Sequence, residues 1–225
     1  MIKKILLLSS GCLLASASFL HADAIGTTAI YSLTLDGCSG SCGTGPFGTI
    51  KLVQTATGVV TVTETLASGV TFSATGAGKS LEFNLTGDPA ITIGSLTSGF
   101  ASTGAATAST FGSFDYSVSC AGISCGPGAS VTNPGPLSFT VTDGAGVNVS
   151  NFIGNDGGFF FASDVAGVNG NTGNVAAGPG TVTPPPPPPP PASTPEPSSL
   201  LLFGTGLAAA AGLARRRVVS AVKSN

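Results

Sequence analysis

The sequence has little of what enzymes need for catalysis. Its 225 residues include no tryptophan, one methionine and one histidine, and only 8% of them are charged. The histidine, His21, lies in the N-terminal segment, so the chain beyond it offers none for a Ser-His-Asp or Cys-His arrangement. We therefore expect no catalytic residue and no cofactor, and a protein that is not an enzyme.

Basic residues are also scarce in the middle of the chain. Residues 25–183 contain two lysines and no arginine against eight acidic residues, which gives a net charge of −6. A domain of this charge has little with which to neutralise phosphate groups, so we expect no nucleic-acid partner. The other basic residues lie at the two ends: Lys3, Lys4, Arg215, Arg216, Arg217 and Lys223.

Residues 1–24 are typical of a secretory signal peptide. Lys3 and Lys4 precede an apolar run over residues 5–20, and Ala22-Asp23-Ala24 fits the small-residue cleavage pattern. We predict a signal-peptide helix that is cleaved after Ala24, and hence export across the inner membrane. Cys12 leaves lipidation as an alternative, although Ser9 stands where a lipoprotein signal favours leucine.

Short runs of alternating apolar and polar residues dominate residues 25–167. The runs are rich in threonine, valine and phenylalanine, and Gly or Asp-Gly breaks separate them. This period-2 pattern predicts strands with one buried face. We therefore predict an all-β fold, a single antiparallel β-sandwich that is jelly-roll-like or a partly closed barrel. Within it we expect Phe159 and Phe161 to face the core and Phe160 to face outward or to lie under a loop, which argues against an aromatic platform for sugars.

Four cysteines of this domain form two close pairs, Cys38 with Cys42 and Cys120 with Cys125. An even number of cysteines in an exported chain favours disulfides, and four cysteines allow three connectivities. We favour the two local loops, because each pair lies in glycine-rich sequence that can bend its Cα atoms into range. A Cys₄ zinc site is the alternative, since four thiolates suit Zn²⁺.

The acidic residues of the domain are dispersed along the sequence. Four of them, Asp36, Asp88, Asp143 and Asp156, stand directly before glycine or proline, where aspartate commonly organises a turn. We expect such structural roles for the acids. Two alternatives stay open: a carboxylate pair for glycoside hydrolysis, and a loop calcium at residues 155–158, which lack the full ligand pattern of an EF-hand.

Three segments follow the predicted domain. Residues 168–194 are rich in glycine and asparagine and then contain eight consecutive prolines, so we predict a linker that ends in a semi-rigid polyproline II rod. Pro195-Glu196-Pro197 precede an uncharged apolar run over residues 198–214, which predicts one transmembrane helix. Arg215, Arg216 and Arg217 then hold that end in the cytoplasm, with residues 218–225 as a cytoplasmic tail.

The order of these C-terminal elements resembles the PEP-CTERM protein-sorting signal. The resemblance covers about the last 30 residues and depends on the Pro-Glu-Pro motif, the small-residue helix and the arginine cluster. It implies sorting at the membrane by an exosortase-type enzyme, with processing near Pro195-Glu196-Pro197. It further implies a final location at the cell surface or in the extracellular matrix of a Gram-negative bacterium.

Together these features predict an exported, non-catalytic surface or matrix protein. The membrane would hold it through the C-terminal helix until the sorting enzyme processes it, and extracellular polysaccharide would be a further partner. The alternative is a carbohydrate-binding or weakly hydrolytic β-sandwich module at the cell surface. A concave face that carries two carboxylates would favour this alternative.

Overall fold

A computed structural model describes residues 23–75, 78–126, 128–189 and 205–212. Strands rich in threonine and valine account for nearly half of these residues. The chain divides into two units, Met1–Pro185 and Pro186–Asn225. The described residues of the first unit form 17 strands and one short 3-10 helix, Val149–Asn151. The strands are β1 (Thr28–Leu33), β2 (Leu35–Asp36), β3 (Gly48–Ala56), β4 (Val59–Leu66), β5 (Thr71–Ala74), β6 (Leu81–Leu85), β7 (Ile91–Gly94), β8 (Phe100–Ser102), β9 (Ala106–Ala108), β10 (Gly112–Phe114), β11 (Tyr116–Cys120), β12 (Gly128–Asn133), β13 (Leu137–Asp143), β14 (Phe152–Ile153), β15 (Phe161–Ala166), β16 (Thr172–Ala177) and β17 (Thr181–Thr183).

Two open antiparallel sheets contain most of these strands. The first sheet has the order β17-β1-β3-β4-β13-β7. The second has the order β12-β5-β15-β6-β11-β8, with β14 on β6 and with β16 paired to both β15 and β2. Every pairing is antiparallel, which confirms the all-β prediction and supports the sandwich. The sheets do not close, so the partly closed barrel is not observed.

The main core contains apolar side chains from both sheets. Alternation along β4 and β13 buries Val60, Val62, Phe139 and Val141 on one face and leaves threonines on the other. The ring of Phe83, from the second sheet, lies 5.9 Å from that of Phe139 in the first sheet, measured between ring centroids. Aromatic contacts of this kind stabilise the packing of one sheet on the other.

A second apolar cluster covers the opposite face of the second sheet. The hairpin of β9 and β10 pairs only with itself among the described strands. Two of its residues, Phe111 in the turn and Phe114 in β10, pack with Ala162 of β15 and Ala176 of β16. Small residues at these two positions leave room for the phenylalanine rings. The second sheet is therefore buried on both faces in its middle, a layer that simple alternation did not predict.

The side chains of Phe159 and Phe160 face other directions than the sequence predicts. Phe161 is buried in the main core, as expected. Phe160 is partly buried against that core and stacks on Tyr31 at 5.4 Å between ring centroids, so it does not face outward, the first of the two positions expected for it. Phe159 contacts Phe111 in the second cluster instead, at 5.0 Å between ring centroids. The reason is that β15 starts only at Phe161, so strand alternation does not apply to the two residues before it.

The strands extend past the predicted domain boundary at residue 167. β16 pairs with β15 and β17 pairs with β1, so residues 172–183 belong to the sandwich and not to the linker. Val175, Ala176 and Ala177 of β16 are fully buried. Their neighbours are glycine and asparagine, which gave this stretch the composition of a linker although it lies within the sandwich.

Candidate functional site

An acidic cleft lies beside the end of β6. It has a volume of about 580 Å³ and is lined by Asn84, Leu85, Gly87, Asp88, Gly112, Ser113, Asp115, Ile153, Gly154, Asn155, Asp156 and Gly157. Three aspartates from three different loops thus meet at one cavity. A second cleft of about 410 Å³ shares Asp88 and Asp115 with the first and continues along β7 and β11. We call these two cavities together the acidic groove.

Hydrogen bonds between distant parts of the chain hold the walls of the groove. The Asn84 side-chain oxygen accepts a 2.7 Å bond from the backbone N–H of Asp115. The Tyr116 hydroxyl lies 2.7 Å from an oxygen of Asp88 and 2.6 Å from the carbonyl oxygen of Pro89. These contacts fix Asp88 and Asp115 relative to β6 and β11, so the groove has a defined shape.

The three carboxylates influence one another through their charges. The pKa of Asp115 is raised, first by partial burial and then by the negative charges of Asp88 and Asp156. Burial and the hydrogen bond to Asp88 likewise raise the pKa of Tyr116, which keeps this hydroxyl protonated. The groove is therefore a region of negative potential.

The calcium loop considered at residues 155–158 is organised as a turn. Asn155 donates to the carbonyl oxygen of Phe111 at 2.8 Å and accepts from the backbone N–H groups of Gly157 and Phe159. Its side chain is therefore occupied by the protein itself. Within the described ranges, the aspartates of the groove do not gather closely enough to ligate one ion.

The one metal-like grouping in the described part of the chain is Asp36 with Cys38 and Cys42. Both sulfurs belong to a disulfide, Cys38–Cys42, with a Cα–Cα distance of 5.5 Å. Asp36 accepts hydrogen bonds from the backbone N–H groups of both cysteines and from the Ser41 hydroxyl. Asp36 therefore organises the disulfide loop, which is the kind of turn role expected for it.

The second disulfide joins Cys120 and Cys125, with a Cα–Cα distance of 5.6 Å. The four cysteines thus form the two local pairs favoured from the sequence. The Cys₄ zinc alternative does not agree with this arrangement, because each sulfur is bonded to another sulfur and not free to bind a metal.

Three buried carboxylates were missed by the sequence analysis. Glu64, Glu82 and Asp164 are fully buried, and burial raises the pKa of each. The pKa of Glu82 rises to about 7. The sequence did contain a signal for the burial of Glu64. It follows Val60 and Val62 at a spacing of two residues, which places all three side chains on the inward face of β4.

Two of these carboxylates, Glu82 and Asp164, lie on neighbouring strands of the second sheet. The backbone N–H of Lys79 donates to Glu82 at 3.1 Å, and Thr75 donates to Asp164. A Cβ at Gly78 would lie 2.9 Å from both Asp164 and Asn174, so the backbone there packs directly against Asp164, and both carboxylates are fully buried. The pair is therefore shielded from solvent and is not part of the acidic groove.

The predicted sorting residues, Pro195, Glu196, Pro197 and Arg215–Arg217, lie outside the described residues, as do residues 1–22 of the predicted signal peptide. Of the predicted transmembrane helix, residues 205–212 are described, and they form an exposed helix. Among the helices of the described residues, none has the length and apolar character that crossing a bilayer requires.

Fold and site together define a two-disulfide β-sandwich that carries an acidic groove and is followed by a proline-rich linker and a short C-terminal segment. Residues 193–217 match the family model of the PEP-CTERM protein-sorting motif. The chain therefore carries this motif, and the resemblance seen in the sequence is confirmed. No curated protein and no solved structure matches the chain. The match supports an exported protein that an exosortase, a membrane enzyme, sorts through a membrane-anchored intermediate.

Proposed function

We propose that this protein is a non-catalytic surface or matrix protein whose β-sandwich is delivered to the outside of the cell by its C-terminal motif. The PEP-CTERM match at residues 193–217 carries this proposal. A signal peptide over residues 1–24 starts export, and the apolar residues 198–214 with Arg215–Arg217 hold the chain in the membrane with its C-terminus in the cytoplasm. The exosortase-type enzyme then processes the chain near Pro195-Glu196-Pro197.

Features of the sandwich agree with a role outside the cell. Two disulfides suit an oxidising compartment. Residues 184–191 are all proline, and a polyproline II rod of eight residues is about 25 Å long, enough to hold the domain clear of the membrane surface. In this position the domain associates with extracellular polysaccharide as a structural component of the surface.

Cell fractionation of variants tests the proposal. We expect Glu196→Ala, and separately a deletion of Arg215–Arg217, to leave an unprocessed precursor in the membrane fraction. Lys223→Ala and Pro188→Ala are controls, because they change a charge or a proline outside the matched segment. Wild-type processing and location in both test variants would refute the sorting mechanism.

A sugar-binding module is the second candidate, and the acidic groove favours it. The groove is concave and carries Asp88, Asp115 and Asp156 together with side-chain amides, which are groups that commonly bind sugar hydroxyls. In this case the C-terminal motif delivers the domain in the same way, and the function of the domain at the surface is to bind a saccharide.

A further inference from the structure

Two fully buried carboxyl groups, Glu82 of β6 and Asp164 of β15, lie on the face of the second sheet that carries the second apolar cluster. Glu82 is directly opposite Ala162, and Asp164 follows Ala162 by two residues, so the two acids are diagonal neighbours on this face. Burial raises the pKa of Glu82 to about 7, and the charge of Asp164 adds to this rise. No third acid, histidine or cysteine joins them within the described ranges.

Unpartnered polar atoms surround these two acids. Glu82 Oε2 and Asn174 Nδ2 have no hydrogen-bond partner in the described part of the chain, although Glu82 is fully buried and Asn174 is only 3% exposed. Asn174 of β16 is directly opposite Asp164. Polar atoms that are buried without a partner cost free energy, so two of them beside one carboxyl group indicate a bound species.

Ser73 of β5 adds a third polar atom to the cluster. It is 1% exposed, and its hydroxyl has no partner at hydrogen-bonding geometry among the described residues. Burial raises the pKa of Asp164, and the nearby Ser73 hydroxyl opposes this rise, which places the hydroxyl beside that carboxyl group. We call Ser73, Glu82, Asp164 and Asn174 the buried polar cluster.

The chain between β5 and β6 contacts this cluster directly. Thr75 donates to Asp164 through its backbone N–H and its hydroxyl, and the backbone N–H of Lys79 donates to Glu82 Oε1 at 3.1 Å. A Cβ at Gly78 would lie 2.9 Å from Asn174 Nδ2 and also 2.9 Å from Asp164 Cγ. The Asn174 amide and the Asp164 carboxyl group therefore approach the same point of the backbone.

The charge of the buried polar cluster restricts what can be bound. Among the described residues, Lys79 is the one cation whose charge acts on the two carboxyl groups, and it leaves Glu82 Oε2 without a partner. Buried carboxylates need a counter-charge, which either protons or a metal cation can supply. Protons would neutralise the two acids but would leave Ser73 and Asn174 without partners.

A cation also accounts for Asn174. Its side-chain oxygen lies 3.5 Å from the Ser109 hydroxyl. Half a turn of the amide brings the nitrogen to that position as a donor to Ser109 Oγ, and brings the oxygen to the unpartnered position in the cluster. In this orientation every unpartnered atom of the cluster is an oxygen.

We propose that the buried polar cluster binds one calcium ion. The ligands are side-chain oxygens from four strands: Ser73, Glu82, Asp164 and Asn174. Oxygen ligands suit a hard cation, and two bidentate carboxylates with two single oxygens give a coordination number of about six, within the range of calcium. Magnesium usually retains several waters, which a site closed to solvent does not provide. The two carboxylates neutralise the charge of the ion.

Thermal unfolding of the full-length protein in detergent tests the proposal. The protein is freed of metal with EGTA and then titrated with calcium chloride or magnesium chloride. We expect the melting temperature to rise by at least about 5 °C once calcium exceeds its dissociation constant about a hundredfold, because the ion binds the folded state alone. Magnesium at the same concentration should give a smaller rise.

Variants locate the ion. Glu82→Gln keeps the shape of the side chain and removes one charged ligand, so it should abolish the rise with calcium. Glu64→Gln is the matched control, because it changes a fully buried acid outside the cluster, and it should preserve the rise. Equilibrium dialysis with metal analysis should find one calcium ion fewer for Glu82→Gln than for wild type.

A milder variant covers the case in which Glu82→Gln does not fold. Ser73→Ala removes one uncharged ligand and should raise the calcium concentration that gives half of the shift. Equal melting temperatures in EGTA and in calcium would refute the proposal and leave protons as the counter-charge. An equal rise in wild type and in every folded variant of the cluster would place the calcium elsewhere and would also refute it.

Discussion

A carboxylic acid in the middle of the core is the most unusual residue of the sandwich. Glu64 is opposite Ile50 in β3 and Leu137 in β13, and all three side chains are fully buried. Within the described residues, neither carboxyl oxygen has a partner at hydrogen-bonding geometry, and the neighbouring Ser163 hydroxyl donates instead to the carbonyl oxygen of Ser80 at 2.8 Å. Burial raises its pKa well above the usual value, so the folded protein holds Glu64 in its neutral form.

Glu64→Gln tests this protonation state. The unfolded chain releases the Glu64 proton above about pH 4.3, whereas the folded chain retains it, so the contribution of Glu64 to stability falls by about 1.4 kcal/mol per pH unit until its raised pKa is reached. Glutamine is close in shape to the neutral acid and does not titrate. We expect the variant to equal wild type near pH 4 and to exceed it at pH 7, measured by urea unfolding.

The control for this comparison is Asp156→Asn, which neutralises an exposed acid. It should keep the downward slope of stability with pH. If Glu64→Gln destabilises the protein equally at both pH values, the carboxyl group is charged or bonded in the folded state, and our assignment fails.

β17 is a short strand, and the residue just before it has no room for a side chain. Its three residues, Thr181–Thr183, are exposed and pair with β1 at the edge of the first sheet. The chain reaches it through Gly180, where a Cβ would lie 2.5 Å from the Tyr31 ring and 2.6 Å from the carbonyl oxygen of Ile30. Only glycine fits there without displacing β1.

Gly180→Ala should therefore detach or distort β17. We expect a loss of about 1–3 kcal/mol, the usual range for inserting a methyl group where there is no space. Gly178→Ala is the matched control, because a Cβ at that position meets nothing within 4 Å. Thermal unfolding of both variants measures the difference, and equal melting temperatures would contradict the close approach.

The elements also show how far the sequence could predict the fold. Strong alternation in β3, β4 and β13 is visible because large apolar residues alternate with threonine. β16 has no such contrast, since its buried residues are valine and alanine beside glycine and asparagine. The acidic groove was not predictable for another reason, because Asp88, Asp115 and Asp156 come from separate loops that only the tertiary fold brings together.

At the scale of the whole molecule, the basic residues are concentrated at the two ends of the chain and the acidic residues in the β-sandwich domain. The complete chain has a net charge of −2, whereas residues 25–183 alone carry −6. Six of the eight basic residues belong to the two ends that processing is proposed to remove. Removal of both ends therefore makes the protein markedly more acidic.

Isoelectric focusing under denaturing conditions tests this consequence. We expect the processed wild-type protein to focus at a lower pH than its precursor, because the arginine cluster is lost. The Glu196→Ala variant should accumulate the more basic precursor, and Lys223→Ala should not. A mature form that focuses at the pH of the precursor would show that the C-terminal arginines stay attached.

The pairing of β17 with β1 also determines how the domain responds to mechanical load. Tension along the proline-rich linker reaches the sandwich at Thr183, which is opposite Thr28 at the start of β1. Only three residue pairs join β17 to β1, whereas β3 and β13 are each joined to β4 over six or more pairs. We therefore expect a pull on the linker to separate β17 from β1 before it opens the core.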